Sequence, residues 1–199
     1  LWGILNRDDN SYHVVMVNGS ARLDGLTIAN GHANGPYPHH AGGGILIEAG
    51  DPVIVNCTIR GNTAVLGGGI AALGGSPYIG NTKLSGNRAL LYGGALYNHD
   101  SDTTLATCLL TGNSAGSNGA GGGSAVCNMG SSAGVTLTNC TLADNTGPWP
   151  SEYVLYNFTY GGGLIPTETM AIHNSIVYNS GGASLIWSDD PSKVGASRS

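Results

Sequence analysis

The sequence predicts an all-β chain wound as a parallel β-solenoid, and three observations carry that prediction. They are an internal repeat of about 25 residues, an abundance of Gly and Asn, and the lack of any apolar run at helical spacing. The stretch from Val53 to Gly75 shows one unit: a short strand followed by an Asn, a glycine cluster, and a second short apolar run. Setting the repeats on the Asn aligns Asn62, Asn87, Asn113, Asn145 and Asn179. Three residues earlier stand Ile59, Leu84, Leu110, Leu142 and Ile176; five earlier come Cys57, Thr82, Cys108, Cys140 and Asn174; eight earlier, Ile54, Ile79, Leu105 and Leu137. A step of two keeps side chains on one face of a strand, so the odd step between the last two positions predicts a bend. Glycine clusters recur at Gly42 to Gly44, Gly67 to Gly69, Gly93 with Gly94, Gly121 to Gly123 and Gly161 to Gly163, with a spacing of 25 residues over the first three.

One such coil cannot bury its own inner face. Stacking coils about 4.8 Å apart buries a continuous column of side chains. A leucine-rich repeat has a similar period, but it needs an L-x-x-L-x-L frame that this chain lacks. With 34 Gly, 10% charged residues and one Phe among 199 residues, the interior must be aliphatic, and the unbroken repeat predicts a single domain, 1–199.

Taken in order, residues 1–12 form an apolar start and a polar loop. The next segment supplies two strand groups, with Leu23, Leu26 and Ile28 in the repeat positions if Gly31 takes the Asn place. Residues 32–41, H-A-N-G-P-Y-P-H-H-A, read as a loop outside the coil. Its His32, His39 and His40 have no helical pairing and no carboxylate close in sequence, so no metal site is expected there. Compact coils begin at Asp51 and Ser76, with Pro52 and Pro77 where a strand starts and no ladder donor is needed. A third coil gains a short insertion near Ser117. A fourth is interrupted over 146–160 by an aromatic segment holding Trp149, Tyr153, Tyr156, Phe158 and Tyr160. These insertions leave from one corner and predict one decorated edge. Its aromatic rings could stack on a glycan, fold back as a lid, or pack against another subunit.

The recurring Asn residues predict hydrogen-bonded ladders, one through Asn62, Asn87, Asn113, Asn145 and Asn179 and another through Asn56, Asn81 and Asn139. Cys57, Thr82, Cys108 and Cys140 predict an interior stack of small apolar groups with buried free thiols. A bridge between Cys108 and Cys140 would suit their separation, but parallel side chains fit disulfide geometry poorly. No spacing is that of a zinc site, and no cofactor is expected.

A net charge of -5 with 7 Lys plus Arg cannot neutralise a run of phosphates, which argues against nucleic acid. There is no run of about 20 apolar residues to span a membrane. A lyase would need a basic residue beside an acidic cluster, and a glycoside hydrolase two converging carboxylates. Arg60 and Lys83 lie at neighbouring offsets in adjacent coils, with Arg88 close behind, but no two acids and a base share an offset. These charges read as solvated. An ice-binding face would need paired Thr columns, whereas Thr27, Thr58 and Thr141 stand singly.

The strings S-Y-H-V-V, L-D-G-L-T-I-A-N-G, S-P-x-I-x-N-x-x-L-S-G-N-x-A and G-G-A-L-Y-N resemble the right-handed parallel β-helix repeats, pectate-lyase-like in fold, of large bacterial surface and secreted proteins. The resemblance implies right-handed winding, a longer parent solenoid and an extracellular or cell-surface location. That fold hosts lyases, hydrolases, adhesins and fibres, so function must follow from the residues. The resulting expectation is a non-catalytic structural or adhesive element that self-associates through its ends or with neighbouring chains. The alternative is a polysaccharide lyase or other carbohydrate-active enzyme with the aromatic segment along its cleft.

Overall fold

A computed structural model describes residues 11–116, 121–132, 134–147, 153–159, 169–179, 186–188 and 194–197. In the most regular coil the strands are Val53–Val55, Thr58–Arg60, Thr63–Leu66 and Ile70–Ala72. Each pairs in parallel with the equivalent strand one coil away. Among the described residues the Ile70-type strands make a first sheet of seven, the Val53 type a second of seven, the Thr58 type a third of six and the Thr63 type a fourth of three. The chain is a parallel β-helix.

Its core is a set of single-residue columns. Ile54, Ile79, Leu105 and Leu137 stack along the second sheet, Ile59, Leu84, Leu110 and Leu142 along the third, and Ile45, Ile70, Leu96, Val126 and Leu155 along the first, all essentially buried. Among the described residues no aromatic ring enters this main core cluster.

The bend between the second and third sheets falls at Asn56, Asn81, Asn139 and Asn174, whose φ angles of 55°, 45°, 53° and 45° are left-handed. Asn tolerates that region because its short side chain can bond locally. The bend into the fourth sheet uses Gly61, Gly86 and Gly112, again left-handed.

Four features differ from the sequence-based expectation. Ile45 pairs with Ile70 and Ile70 with Leu96, so the interval is 25 residues and then 26. The extra residue is absorbed where Arg88–Tyr92 slips against Thr63–Leu66 between Ala89 and Tyr92, a bulge that repeat counting cannot detect.

The first insertion is shorter than 32–41, because His32 and Ala33 pair with Thr63 and Ala64 as a strand of the fourth sheet. Likewise much of 146–160 is not insertion. Thr146 bridges Ser114, and Leu155–Thr159 pairs with Val126–Gly130 as the coil's own first-sheet strand. That strand begins before the cluster Gly161 to Gly163, which lies outside the described residues. Alternation explains the difference: Leu155 and Asn157 turn inward while Tyr156 and Phe158 face out.

In the last coil Val177, not Ile176, lies over Leu142. Ile176 is 63% exposed, and Asn179 falls one residue short of the ladder slot counted from Val177.

Candidate functional site

The buried Asn column is a continuous hydrogen-bonded rail. The Asn87 Oδ1 accepts from both the backbone N–H (3.1 Å) and the Nδ2 (3.0 Å) of Asn62. Asn113 does the same for Asn87, and Asn145 for Asn113, at 2.8–3.0 Å. Each Nδ2 also donates to a carbonyl of the preceding coil: Asn62 to Ile28, Asn87 to Ile59, Asn113 to Leu84 and Asn145 to Leu110. Asn179 instead donates to the Asn145 carbonyl at 2.9 Å. Gly31 opens the column, its N–H donating to Asn62 Oδ1.

The position holding Cys57, Thr82, Cys108 and Cys140 is more specific than a stack of small apolar groups. Cys57 Sγ, Thr82 Oγ1, Cys108 Sγ and Cys140 Sγ each donate to the carbonyl two residues earlier, at Val55, Gly80, Ala106 and Thr138. In the last coil Ser175 Oγ does so to His173, so Ser175 and not Asn174 holds this place. Cys, Thr and Ser interchange there because each is a short donor that closes the bend. The four cysteines are free and buried. Hydrogen bonding to Cys140, then burial, pushes the Cys108 thiol well above its ordinary value, and burial does the same to Cys127. These groups build the fold and offer no accessible nucleophile.

A second buried Asn column escaped the sequence reading. Asn98 Nδ2 donates to Asn128 Oδ1 and Asn128 Nδ2 to Asn157 Oδ1, both at 2.8 Å. The signal was present in the parallel strings L-Y-N-H, V-C-N-M and L-Y-N-F at 96–99, 126–129 and 155–158.

The residues flanking that column point outward from the first sheet and build a separate apolar and aromatic surface. Leu46, Ala71, Tyr97, Cys127 and Met129 are its buried members, with Leu66, Leu73, Tyr92, Tyr156 and Phe158 packed against them. Tyr156 stacks on Phe158 (6.3 Å between ring centres) and tilts against Tyr92 (5.7 Å) and Tyr153 (6.2 Å). It also lies close against Gly122, where an added Cβ would approach the ring to 2.7 Å. Trp149 and Tyr160, expected beside these rings, lie outside the described residues.

At one end of this surface is a cleft of about 320 Å³ lined by Tyr37, His40, Leu66, Tyr97, His99 and Asp100, with Ala41 and Leu73 completing its wall. Tyr37, from the first insertion, is 77% exposed and packs against the His40 ring. Across the cleft His99 lies on Tyr97 (6.0 Å, 28° between planes) and its Nδ1 is 3.3 Å from Asp100 Oδ2. The other Asp100 oxygen accepts from the Ser131 and Ser132 amides at 2.8 and 3.3 Å, which fixes the carboxylate. The cleft thus joins flat rings to a few oriented polar groups, the composition of a small-ligand site. Residues 60 apart in the sequence form it, so no local motif could have named them.

The insertion wall is held by His13, whose Nδ1 donates to the Gly42 carbonyl (2.9 Å) and whose Nε2 meets His39 Nδ1 at 3.1 Å. His39 in turn stacks on Tyr12 at 5.5 Å. Among the described residues no group of three His, Cys, Asp or Glu could hold a metal ion. Nor is any helix long and apolar enough to cross a membrane.

Fold and surface together define a parallel β-helix with an aromatic outer face on its first sheet. No family model, curated protein or solved structure matches the chain.

Proposed function

We propose that the chain is a non-catalytic, extracellular structural and adhesive β-helix, and that its adhesive surface is the aromatic outer face of the first sheet. The observation that carries this reading is the cleft in which Tyr37, Tyr97, His40 and His99 present rings and polar edges together. Pyranose rings stack on such flat faces while imidazole and phenol groups bond their hydroxyls. The rigid coil stack behind it supplies preorganisation, which lowers the entropic cost of binding. The resemblance to pectate-lyase-like repeats of bacterial surface proteins supports the extracellular setting. A glycan array followed by calorimetry on the best hit tests this: Tyr37→Ala, at an exposed ring, should weaken binding about tenfold with the urea midpoint unchanged. Full binding by that variant, or no hit on the array, would defeat the proposal.

One observation favours a second reading, a carbohydrate-active enzyme. Asp100 orients the His99 imidazole as a general base would require. Incubation with a polysaccharide panel decides between the two, because products formed by the native chain and lost in Asp100→Asn would replace adhesion by catalysis.

A further inference from the structure

The fourth sheet carries on its outer face a trough of about 220 Å³ that shares no lining residue with the aromatic cleft. The register sets its walls. His32 pairs with Thr63 and Thr63 with Arg88, so these three side chains form one outward row across adjacent coils, about 10 Å from end to end. Two residues further along each strand, on the same face, stand Asn34, Val65 and Leu90, which make the opposite wall. Ala33 and Ala64 turn inward between the rows, so the floor is shallow and carries no outward side chain. Leu90 lies in the bulge that follows Ala89 and leaves 40% of its surface exposed.

The lining is almost wholly apolar, and Arg88 is its one Lys or Arg. Arg88 makes no ion pair with a described residue. No strand of the third or fourth sheet contains an acidic residue, while Arg60 and Lys83 stand on the neighbouring third sheet. In a chain of net charge -5, an unneutralised guanidinium thus ends a mainly apolar trough. A guanidinium grips a carboxylate through two parallel N–H donors, and its flat face also takes an aromatic ring. The trough is smaller than the roughly 300 Å³ at which pockets for drug-sized molecules begin, so its occupant is small. A sugar suits it poorly, because hydroxyls laid on Val65 and Leu90 would give up water without gaining partners.

We propose that this trough binds a small aromatic carboxylate, a single ring with a short acidic arm. The carboxylate meets Arg88, and the ring lies between Thr63 and the Val65–Leu90 wall, covering the apolar surface that Leu90 leaves open. One cation fixes the direction of entry, acid end toward Arg88. The site lies outside the glycan-binding cleft and does not depend on it.

The test is titration of the full chain with three probes, followed by calorimetry and by amide chemical shifts. They are trans-cinnamate, the neutral cinnamamide of the same shape, and glucuronate, which carries the same acid on a sugar ring. Cinnamate should bind with a dissociation constant on the order of 0.1–1 mM, and the other two at least about tenfold more weakly. The shifts should centre on the Ala64, Val65 and Leu90 amides. Arg88→Ala should weaken cinnamate about tenfold and Leu90→Ala about threefold, both at exposed side chains and with the urea midpoint unchanged. Tyr37→Ala, in the separate cleft, should leave this binding intact. The proposal is overturned by an absence of saturable cinnamate binding at millimolar concentration or by normal binding in Arg88→Ala. Equal affinity for cinnamamide would show that the ring alone binds, and equal affinity for glucuronate that charge alone does; either result also overturns it. So would shifts centred on Tyr97, or loss of binding in Tyr37→Ala.

Discussion

Two of the three Asn columns of the β-helix use the same side chain in opposite surroundings. Asn62, Asn87, Asn113 and Asn145 are fully buried, and every described link joins amides of consecutive coils. Asn56, Asn81, Asn139 and Asn174 stand exposed at a left-handed bend, with side-chain bonds from Asn81 to Asn56 and from Asn174 to Asn139. In the first column the amide satisfies backbone groups that water cannot reach; in the second it mainly makes a backbone conformation affordable. Identical residues at a regular repeat therefore have different energetic weight, set by burial.

Breaking the buried column should cost most. Asn87→Ala removes four bonds and strands the Ile59 carbonyl and the Asn62 amide, so stability should fall by about 3–5 kcal/mol, read as a large drop in urea midpoint. A loss under about 1 kcal/mol would mean that water replaces the rail. Next comes the bend-closing position. Cys108→Val removes the donor to Ala106 and overfills the stack, at about 1–3 kcal/mol. Cys108→Ser should stay within about 1 kcal/mol of the native chain, because Thr82 and Ser175 already serve in that place. Equal losses for Val and Ser would show that volume, not donation, rules the site.

The exposed column should respond less and in a different pattern. Asn81→Ala should cost about 1 kcal/mol, since a Cβ without a local acceptor is strained at φ 45°, whereas Asn81→Gly should be nearly neutral. If both cost the same, the side-chain bond to Asn56 rather than the backbone is what matters.

The smallest effect concerns the cleft wall and follows pH. Burial lowers the pKa of His13, with the nearby His39 acting in the same direction. The unfolded or undocked state then binds the proton more readily, so docking of the insertion is complete above the ordinary histidine value and weakens as pH falls through it. The pair also cannot hold protons on both facing nitrogens. Protection of the Gly35 and Ala41 amides from hydrogen exchange, taken relative to the unstructured-chain rate at each pH, should fall severalfold between pH 7.5 and 5, and His13→Gln should blunt the change. Protection that is flat across that range would remove His13 as the clasp.

Much of the coil was legible because stacking imposes a one-to-one match between repeat position and environment. The Val53 to Leu110 region shows this best: Ile54, Ile79 and Leu105 could be placed on one column by counting alone. Counting failed where a bulge near Leu90 added a residue, where Leu155–Thr159 was hidden behind aromatic residues that resemble a loop, and at Asn179, where the strand entered one residue out of step. Each failure is a local change of register, and register is decided by which face is buried rather than by residue type.

Sequence by itself determined the architecture, because a period near 25 with apolar residues at fixed offsets has no other way to bury its inner face. Only the tertiary structure decided what the outer faces carry. The cleft of Tyr37, Tyr97 and Asp100 and the second buried Asn column each draw on different coils. Outward side chains are free of the packing constraint that makes the interior periodic, so their grouping appears only once the coils are stacked in their true register.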